Sequence, residues 1–447
     1  MEMGNLRISQ CMIVKNEEKN IERALSWGKE LMWEQIVVDT GSTDQTVEIA
    51  QQMGAKIYHF GWIDDFSAAK NFAIEQASGD WIAFLDADEY MLPDDAHRLP
   101  AMIKKARKFG AEILGTLWLQ VGDTQMVNMA ARQYRIFKNT PKIRYNEPIH
   151  EQLLYGKHSI SGHVLDASEL SIYHTGYISE LSEQKSRRNI RILLKEFEKR
   201  PKDPNVMGYL GDSYQGLVGE EEKVEYWYKK ALPYIFKSGK KSDRDVYTVA
   251  WLMLVLYKKG REKEAELMEI YKKAIQYFEG FCDPDYVIGR FYAQMGQFQK
   301  GEYHLERAVR MFEQYGTNVF NPLMPSDIPD TWRTLALCYY MNGKAEKSVN
   351  CCVNLLIADK THVETLEVLL RCFKNENPQA VVGFLQKLYN INDISDRVVI
   401  LSGAARAGEA GVGVLNVLQQ YCTEEELEVL KKRAGQNMDI EKSKDHK

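Results

Sequence analysis

An α/β domain with a mostly parallel sheet, followed by an all-α array of helical repeats, is the fold class this sequence predicts. Three observations carry the prediction. Short apolar runs alternate with helix-period segments through the first third, two of those runs end in aspartates, and from about Pro204 only helical patterns remain.

Ile8–Val14 reads as a strand, and Lys19–Lys29 as a helix with Ile21, Ala24 and Leu25 on one face. Gln35–Asp39 is a buried strand ending on an acid. Gly41-Ser42-Thr43-Asp44 is then a turn into a helix carrying Val47, Ile49 and Ala50. Ser42 and Gln45 have capping-box spacing. Lys56–Phe60 is a further strand, Phe66–Ala77 a helix, and Trp81–Leu85 a strand that again ends in acids. Such repetition implies parallel strands with helices on both faces, and ligands bind where the carboxyl ends of the strands open. Asp39 and Asp86 fall there.

Four later segments share one layout: an aromatic, a glycine, a small or apolar residue five on, and another twelve to fourteen on. They are Tyr214…Gly219…Val224…Ala231, Tyr257…Gly260…Ala265…Ala274, Tyr292…Gly296…Gly301…Ala308 and Tyr339…Gly343…Ser348…Leu355. Each glycine marks a tight turn between antiparallel helices, and the layout resembles degenerate tetratricopeptide repeats. Helices from His362 to about Lys432 continue the array, and Met438–Lys447 reads as a charged, disordered tail. The expected domains are 1–200, 201–435 and a tail at 436–447.

Composition narrows the class. Among 447 residues, 45% are hydrophobic and 27% charged, as in ordinary globular proteins. A net charge of −5 gives no basic excess for nucleic acid or an anionic membrane. The seven cysteines form no CxxC pair and show no zinc spacing, so a reducing cytoplasm is expected. The N-terminus has no signal-peptide pattern. Thr248 to Tyr257, the longest apolar stretch, falls short of the roughly 20 residues that span a bilayer.

The strongest chemical signal is Trp81-Ile82-Ala83-Phe84-Leu85-Asp86-Ala87-Asp88-Glu89. On extended backbone Asp86 and Asp88 point the same way, and paired hard oxygens suit Mg²⁺ or Mn²⁺ bridged to a diphosphate. Two unpaired carboxylates at the end of a core strand are costly unless a cation or donors meet them. Asp39 repeats the logic: it can accept hydrogen bonds from a base or ribose, or simply cap its own turn. Lys70, with Asn71 after Asp64-Asp65-Phe66-Ser67, can meet a phosphate or base, or stand as a solvated lysine.

Cys11-Met12-Ile13-Val14-Lys15-Asn16-Glu17, Asp39-Thr40-Gly41-Ser42-Thr43-Asp44, Asp65-Phe66-Ser67…Lys70-Asn71, Gly79-Asp80-Trp81 and Asp86-Ala87-Asp88 occur in one order over about 85 residues. Together they resemble family 2 glycosyltransferases of GT-A fold. Arg135-Ile136-Phe137-Lys138, Ile149-His150-Glu151 and Tyr173-His174-Thr175-Gly176-Tyr177, then Lys185-Ser186-Arg187-Arg188-Asn189, resemble the sublancin-type peptide S-glycosyltransferases. Those also carry a helical repeat domain.

The resemblance implies a UDP-sugar donor, Mn²⁺ or Mg²⁺ as cofactor, and inverting transfer of a hexose to a peptide or protein Cys or Ser side chain. Asp39 would bind uracil, and Ile13–Glu17, with Val14, Asn16 and Glu17, would line the base and ribose pocket. Lys70 stands where the family more often has Arg, which weakens a bidentate contact. Asp88 would be the principal metal ligand, Ala87 would sit between the two acids at the donor, and Asp86 would contact ribose or metal. Glu151 is the first choice as general base and Glu147 the reserve, while His150 is either a base or a contact to metal or diphosphate. His174, Arg187 and Arg188 would reach the departing phosphates. The chain enters its first strand within about ten residues. The sublancin enzyme has an extension there, so its acceptor and dimer contacts do not transfer.

Two enzyme rivals fail for want of glycine: no Gly-rich loop follows the first strand for a nucleotidyltransferase, and no GxGxxG for a dinucleotide oxidoreductase. A cell-surface glycan or lipopolysaccharide-core acceptor is the alternative within the enzyme reading. A catalytically dead domain on a peptide-binding repeat scaffold is the alternative of another class. A homodimer through the helical array stays open.

Overall fold

The computed structural model describes residues 6–122, 127–175, 182–239, 241–316 and 319–423. The chain divides into two compact units: Met1–Pro201 with Asp212–Gly219, and Lys202–Gly211 with Glu220–Lys447.

Among its described residues the first unit holds ten strands: β1 Ile8–Val14, β2 Glu34–Asp39, β3 Lys56–His59, β4 Trp81–Phe84, β5 Glu89–Tyr90, β6 Ile113–Val121, β7 Val127–Lys138, β8 Ile143–Asn146, β9 Gln152–Tyr155 and β10 Val164–His174. Its helices are α1 Ile21–Ser26, α2 Thr46–Gln52, α3 Phe66–Glu75, α4 Pro93–Lys108 and α5 Ser182–Lys199. Eight strands form one sheet in the order β3-β2-β1-β4-β7-β6-β10-β5, and β8 and β9 form a separate hairpin. The pairs among β1 to β4 and the β6–β10 pair are parallel, and β7 runs antiparallel to both β4 and β6.

Alternation along β4 buries both faces. Trp81, Ala83 and Leu85 pack toward α4, with Leu99 and Ile103. Ile82 and Phe84 pack toward Ala73 and Ile74 of α3 and Leu153 of β9. Full burial of a side chain such as Phe84 contributes about 1.5–3 kcal/mol.

The expected strand over Ile8–Val14 forms at those bounds, whereas the helix expected over Lys19–Lys29 keeps only Ile21–Ser26. The Ser42–Gln45 capping box does not form. Gln45 occupies the N-cap of α2 without a side-chain bond, and Asp44 Oδ1 accepts the Thr46 N–H at 3.0 Å. Ser42 Oγ is already committed to the Asn16 N–H at 2.9 Å.

The second unit is helical among its described residues. The chain beyond α5 runs α6 Pro204–Gln215, α7 Glu221–Ile235, α8 Asp243–Lys259, α9 Glu264–Tyr277, α10 Asp283–Gln294, α11 Phe298–Tyr315, α12 Ile328–Met341, α13 Ala345–Ala358, α14 Val363–Cys372, α15 Pro378–Leu385, α16 Ile394–Arg406 and α17 Val412–Leu418. The end of α6 from Asp212, with the turn to Gly219, belongs to the first unit. Gly219, Gly260, Gly296 and Gly343 fall between successive helices with φ of 81°, 81°, 74° and 75°, a conformation that favours glycine. Gly301 allows a close approach, since a Cβ there would lie 3.1 Å from Cys338 Sγ and 3.2 Å from the Ala293 nitrogen. No described helix is long and apolar enough to cross a membrane. The expected tail and the last expected helix beyond residue 423 lie outside the described residues.

Candidate active site

Two loops are laced together where the parallel strands end. Val14 of β1 and Asp39 of β2 are register partners, so Lys15–Glu17 and the 40–44 turn leave the sheet side by side. Asn16, at φ 57°, accepts the Thr43 N–H on its side chain at 2.8 Å, and Glu17 N–H donates to Thr46 Oγ1 at 2.7 Å. Both carboxylate oxygens of Asp39 accept backbone N–H bonds from its own turn, from Gly41 at 3.1 Å and Ser42 at 3.0 Å. That is the capping role, although a carboxylate retains further lone pairs.

α3 fixes the loop that carries the His-Glu pair. Asp65 caps the helix by accepting the Ala68 N–H at 2.8 Å, Ser67 Oγ donates to the Glu147 carbonyl at 2.6 Å, and Phe66 N–H to the Pro148 carbonyl at 2.8 Å. Asn71 brackets the Tyr145 backbone, donating to its carbonyl at 2.8 Å and accepting its N–H at 3.0 Å. Between these anchors the Lys70 side chain is only 3% exposed. Its ammonium sits 2.6 Å from Glu151 Oε1 and 3.4 Å from Asp86 Oδ1, and over the rings of Phe84 and Tyr145.

Arg135 closes the other side, with Nη2 2.9 Å from Asp86 Oδ2 and 2.7 Å from Glu89 Oε1. Trp118 Nε1 donates to the same Glu89 oxygen at 2.8 Å. A bulge aims Arg135: Leu114 pairs with Ile136 but Thr116 with Gln133, so two residues of β7 stand opposite Gly115. Asp88 Oδ2 lies 3.2 Å from His174 Nε2.

These neighbours set the charges. Burial pushes the Asp86 carboxyl up, but Lys70 and Arg135 outweigh it and bring it down to about 2. Burial likewise opposes ionisation of Glu151, and Lys70 overrides it, leaving the carboxyl below its ordinary range. Burial disfavours the Lys70 cation, while Asp86 and Glu151 together raise its pKa above the usual lysine value. Glu17, between the two laced loops, is raised by burial.

Two cavities flank this chain of charges. The first, of about 580 Å³, is lined by Asn16, Glu17 and Asp88 together with Thr40, Trp62, Phe66 and the α5 residues Gln184, Lys185, Arg188 and Arg191. The second, of about 510 Å³, is bounded by Glu151, Arg135 and Tyr145 together with neighbours from β7, β9 and the 157–160 loop.

The sequence-predicted residues divide accordingly. Asn16, Glu17 and Asp88 line the first cavity and Glu151 the second. Val14 and Ala87 are buried in the core with Met12 and Ile21. Asp39, Lys70 and Asp86 stand behind the walls, held by the partners described above. His150 is exposed at φ 53°. Glu147, at φ 76°, is gripped through both carboxylate oxygens by Arg200, at 3.1 and 2.5 Å. Arg188 lies over the Phe66 ring at 4.8 Å on the first cavity, whereas Arg187 turns to Glu183 at 2.7 Å on an exposed helix face. Gly176 and Tyr177 lie outside the described residues.

Sequence reasoning assigned no role to Glu89, Trp118, Trp62 or Thr40, and gave Arg135 none beyond its place in a motif. Glu89 was signalled only by following the aspartate pair directly.

Among the described residues, no three His, Cys, Asp or Glu side chains are grouped as a metal set. Asp88, which lines the first cavity, and His174 offer one hard oxygen and one imidazole nitrogen 3.2 Å apart, donor types that fit a divalent cation.

Residues 9–161 match the model of glycosyl transferase family 2. The chain is 30% identical over 284 residues to a TPR repeat-containing protein of Synechococcus elongatus, covering 60% of this chain and 66% of that protein. It is 27% identical over 227 residues to the SPbeta prophage-derived glycosyltransferase SunS of Bacillus subtilis, covering 50% and 53%. The chain thus spans between about half and just under two thirds of these relatives. Among solved structures, S. aureus TarS is 14% identical over 58% of this chain and 54% of that one, with a TM-score of 0.34.

Proposed function

We propose, from the premise that residues 9–161 are a family 2 glycosyltransferase domain, that the chain moves a hexose from a UDP-sugar to a polypeptide side chain with inversion. The catalytic domain would run over 1–200 and the repeat domain over 201–435. The observation that carries this reading is the unbroken series of charged contacts Arg135–Asp86–Lys70–Glu151, with one cavity at Asp88 and another at Glu151.

The nucleotide-sugar lies in the first cavity. Asn16, Glu17 and Thr40 face its nucleoside, while Lys185, Arg188 and Arg191 supply positive charge for its phosphates. Asp88 and His174 would hold Mn²⁺ or Mg²⁺, which when bound would supply positive charge to neutralise the leaving diphosphate. Asp86, fixed by Lys70 and Arg135, shapes the same wall.

Glu151 accepts the proton of the acceptor O–H or S–H as that atom forms its bond to the anomeric carbon. The bond from that carbon to the diphosphate oxygen breaks, and UDP leaves with the electron pair. Lys70 keeps Glu151 ionised beforehand and remains paired with Asp86 once Glu151 is protonated. Glu147, committed to Arg200, is the weaker choice of base.

The test is nucleoside diphosphate release from a panel of nucleotide sugars with Mn²⁺ or Mg²⁺, beside UDP binding by calorimetry. Metal-dependent release from one or two UDP-sugars, lost in Asp88→Asn, is expected. A protein that binds no UDP and releases none overturns the reading.

A further inference from the structure

The second cavity has walls of an unusual kind. Gln133, Tyr134 and Arg135 are consecutive residues of β7, and Gln152, Leu153 and Leu154 are consecutive residues of β9. Side chains of a regular strand alternate between faces, so three successive residues of β9 border one space where its backbone edge faces it. In β7 the bulge at Tyr134 and Arg135 breaks the alternation, and the Gln133 carbonyl already accepts from Thr116 Oγ1 at 3.1 Å. Pairing explains why the backbone is accessible. β4 pairs with β7 only over Ile136–Lys138 and ends at Phe84, so among the described residues no strand covers the β4 side of β7 before Ile136. The bulge opposite Gly115 further loosens Tyr134 and Arg135 from β6. Among the described strands β9 pairs with β8 alone, apart from a single bridge between Tyr155 and His158.

Unpaired strand edges present rows of N–H and C=O groups, the template to which an extended chain adds. The volume, about 510 Å³, lies within the range of true ligand pockets, roughly 300–1,000 Å³. Glu151 immediately precedes β9 and borders the same space, so a strand lying along β9 carries its side chains past the carboxylate. Lys157 and His158 stand at the rim, and Glu151 is the only acid among the lining residues.

We propose that this cavity binds the acceptor as an extended polypeptide segment, held by backbone hydrogen bonds to the edges of β7 at 133–135 and β9 at 152–154. The inference rests on the transferase reading above and adds where, and in what conformation, the acceptor binds. Main-chain pairing fixes the register, so one side chain of the segment meets Glu151 while its neighbours point away. A glycan has no such row of alternating donors and acceptors to offer.

The full chain, with Mn²⁺ and UDP-sugar, is assayed by mass spectrometry against a library of ten-residue unstructured peptides with a central Ser, Thr or Cys. Accepted peptides are then remade with single backbone N-methyl groups at each position around the acceptor residue. Alternate N-methylations should cut transfer at least tenfold and the intervening ones less than threefold. Hydrogen exchange of the 132–136 and 152–155 amides should slow at least tenfold when a saturating accepted peptide is added to the UDP complex. Equal transfer to all N-methylated forms, or protection confined to the repeat helices, overturns the proposal. Transfer to an oligosaccharide with none to any peptide also overturns it. UDP binding and donor hydrolysis are measured in parallel, so absence of both marks failure of the transferase reading instead.

Discussion

Both units bury charged side chains, yet they arrange them differently. In the second unit several buried acids tie stretches of chain that follow one another in the array. Asp285 of α10 accepts from Tyr271 of α9 at 2.9 Å and meets His304 and Arg307 of α11 at 2.8 and 3.4 Å. Glu225 of α7 holds Lys259 of α8 and Lys263, and Asp283 accepts the N–H groups of Leu323 and Met324, both at 2.9 Å. In the first unit, Lys70, Asp86, Glu89, Arg135 and Glu151 come from four separate stretches of chain and converge at strand ends, and two of them, Arg135 and Glu151, border a cavity. Neighbouring partners satisfy a charge and end its role. Converging partners beside cavities leave a charge poised for something that is not part of the chain.

The largest effects should sharpen that distinction. Asp88→Asn should lower sugar transfer about 10³-fold, measured as nucleoside diphosphate release, while its thermal midpoint stays close to that of the wild type. Asp285→Ala should do the reverse. Removing one partner of a buried ionic cluster costs about 3–5 kcal/mol, visible in denaturant unfolding of the helical unit, with UDP affinity changed less than about twofold. If Asp285→Ala abolished UDP binding, the two kinds of buried charge would not be separable.

Glu151→Gln should slow transfer about 10²-fold, at the lower end of general-base effects, with donor affinity retained. Its pH behaviour follows from Lys70. A carboxyl held below its ordinary value stays ionised until acid conditions, so kcat/KM should hold level down to about pH 5 and fall only below it, since an unperturbed Glu titrates near 4.3. Lys70→Met removes the cation, lets burial dominate, and should move that acid limb upward; an unmoved limb would show that another group carries it. The smallest pair separates two adjacent arginines. Arg188→Ala should raise the donor KM about tenfold, the loss of one charge-assisted contact, whereas Arg187→Ala, exposed and paired to Glu183, should change it less than twofold.

Strands were legible in the first third, where buried apolar residues cluster as in Cys11–Val14 and Trp81–Phe84, whereas β5 to β10 were not named. Repeat glycines were legible because only a positive φ requires them. The cap of α2 was misread because Ser42 and Asp44 both suit such a place, and a tertiary partner, the Asn16 N–H, took Ser42 away. Within the candidate site, Asp88 was named from the buried strand that precedes it, and Glu151 only through the family resemblance. Lys70 as the bridge between two carboxylates could not be named, because the segment around Glu151 follows it by some 80 residues and tertiary tethers from Phe66, Ser67 and Asn71 bring them together. Arg135 was equally hidden, since its aim depends on a bulge that no residue in β7 announces.

That bulge also works as a joint in time. Ile136 and Phe137 pair on both sides, with β4 and β6, whereas among the described strands Val127–Gln133 pair with β6 alone. Drift in the outer arm, whether by substitution or by change of length, therefore leaves Arg135 where it is against Asp86 and Glu89. A lineage can rewrite one segment of the strand generation after generation while the other stays fixed, and variation among descendants of this domain should pile up on the outer side of residue 134.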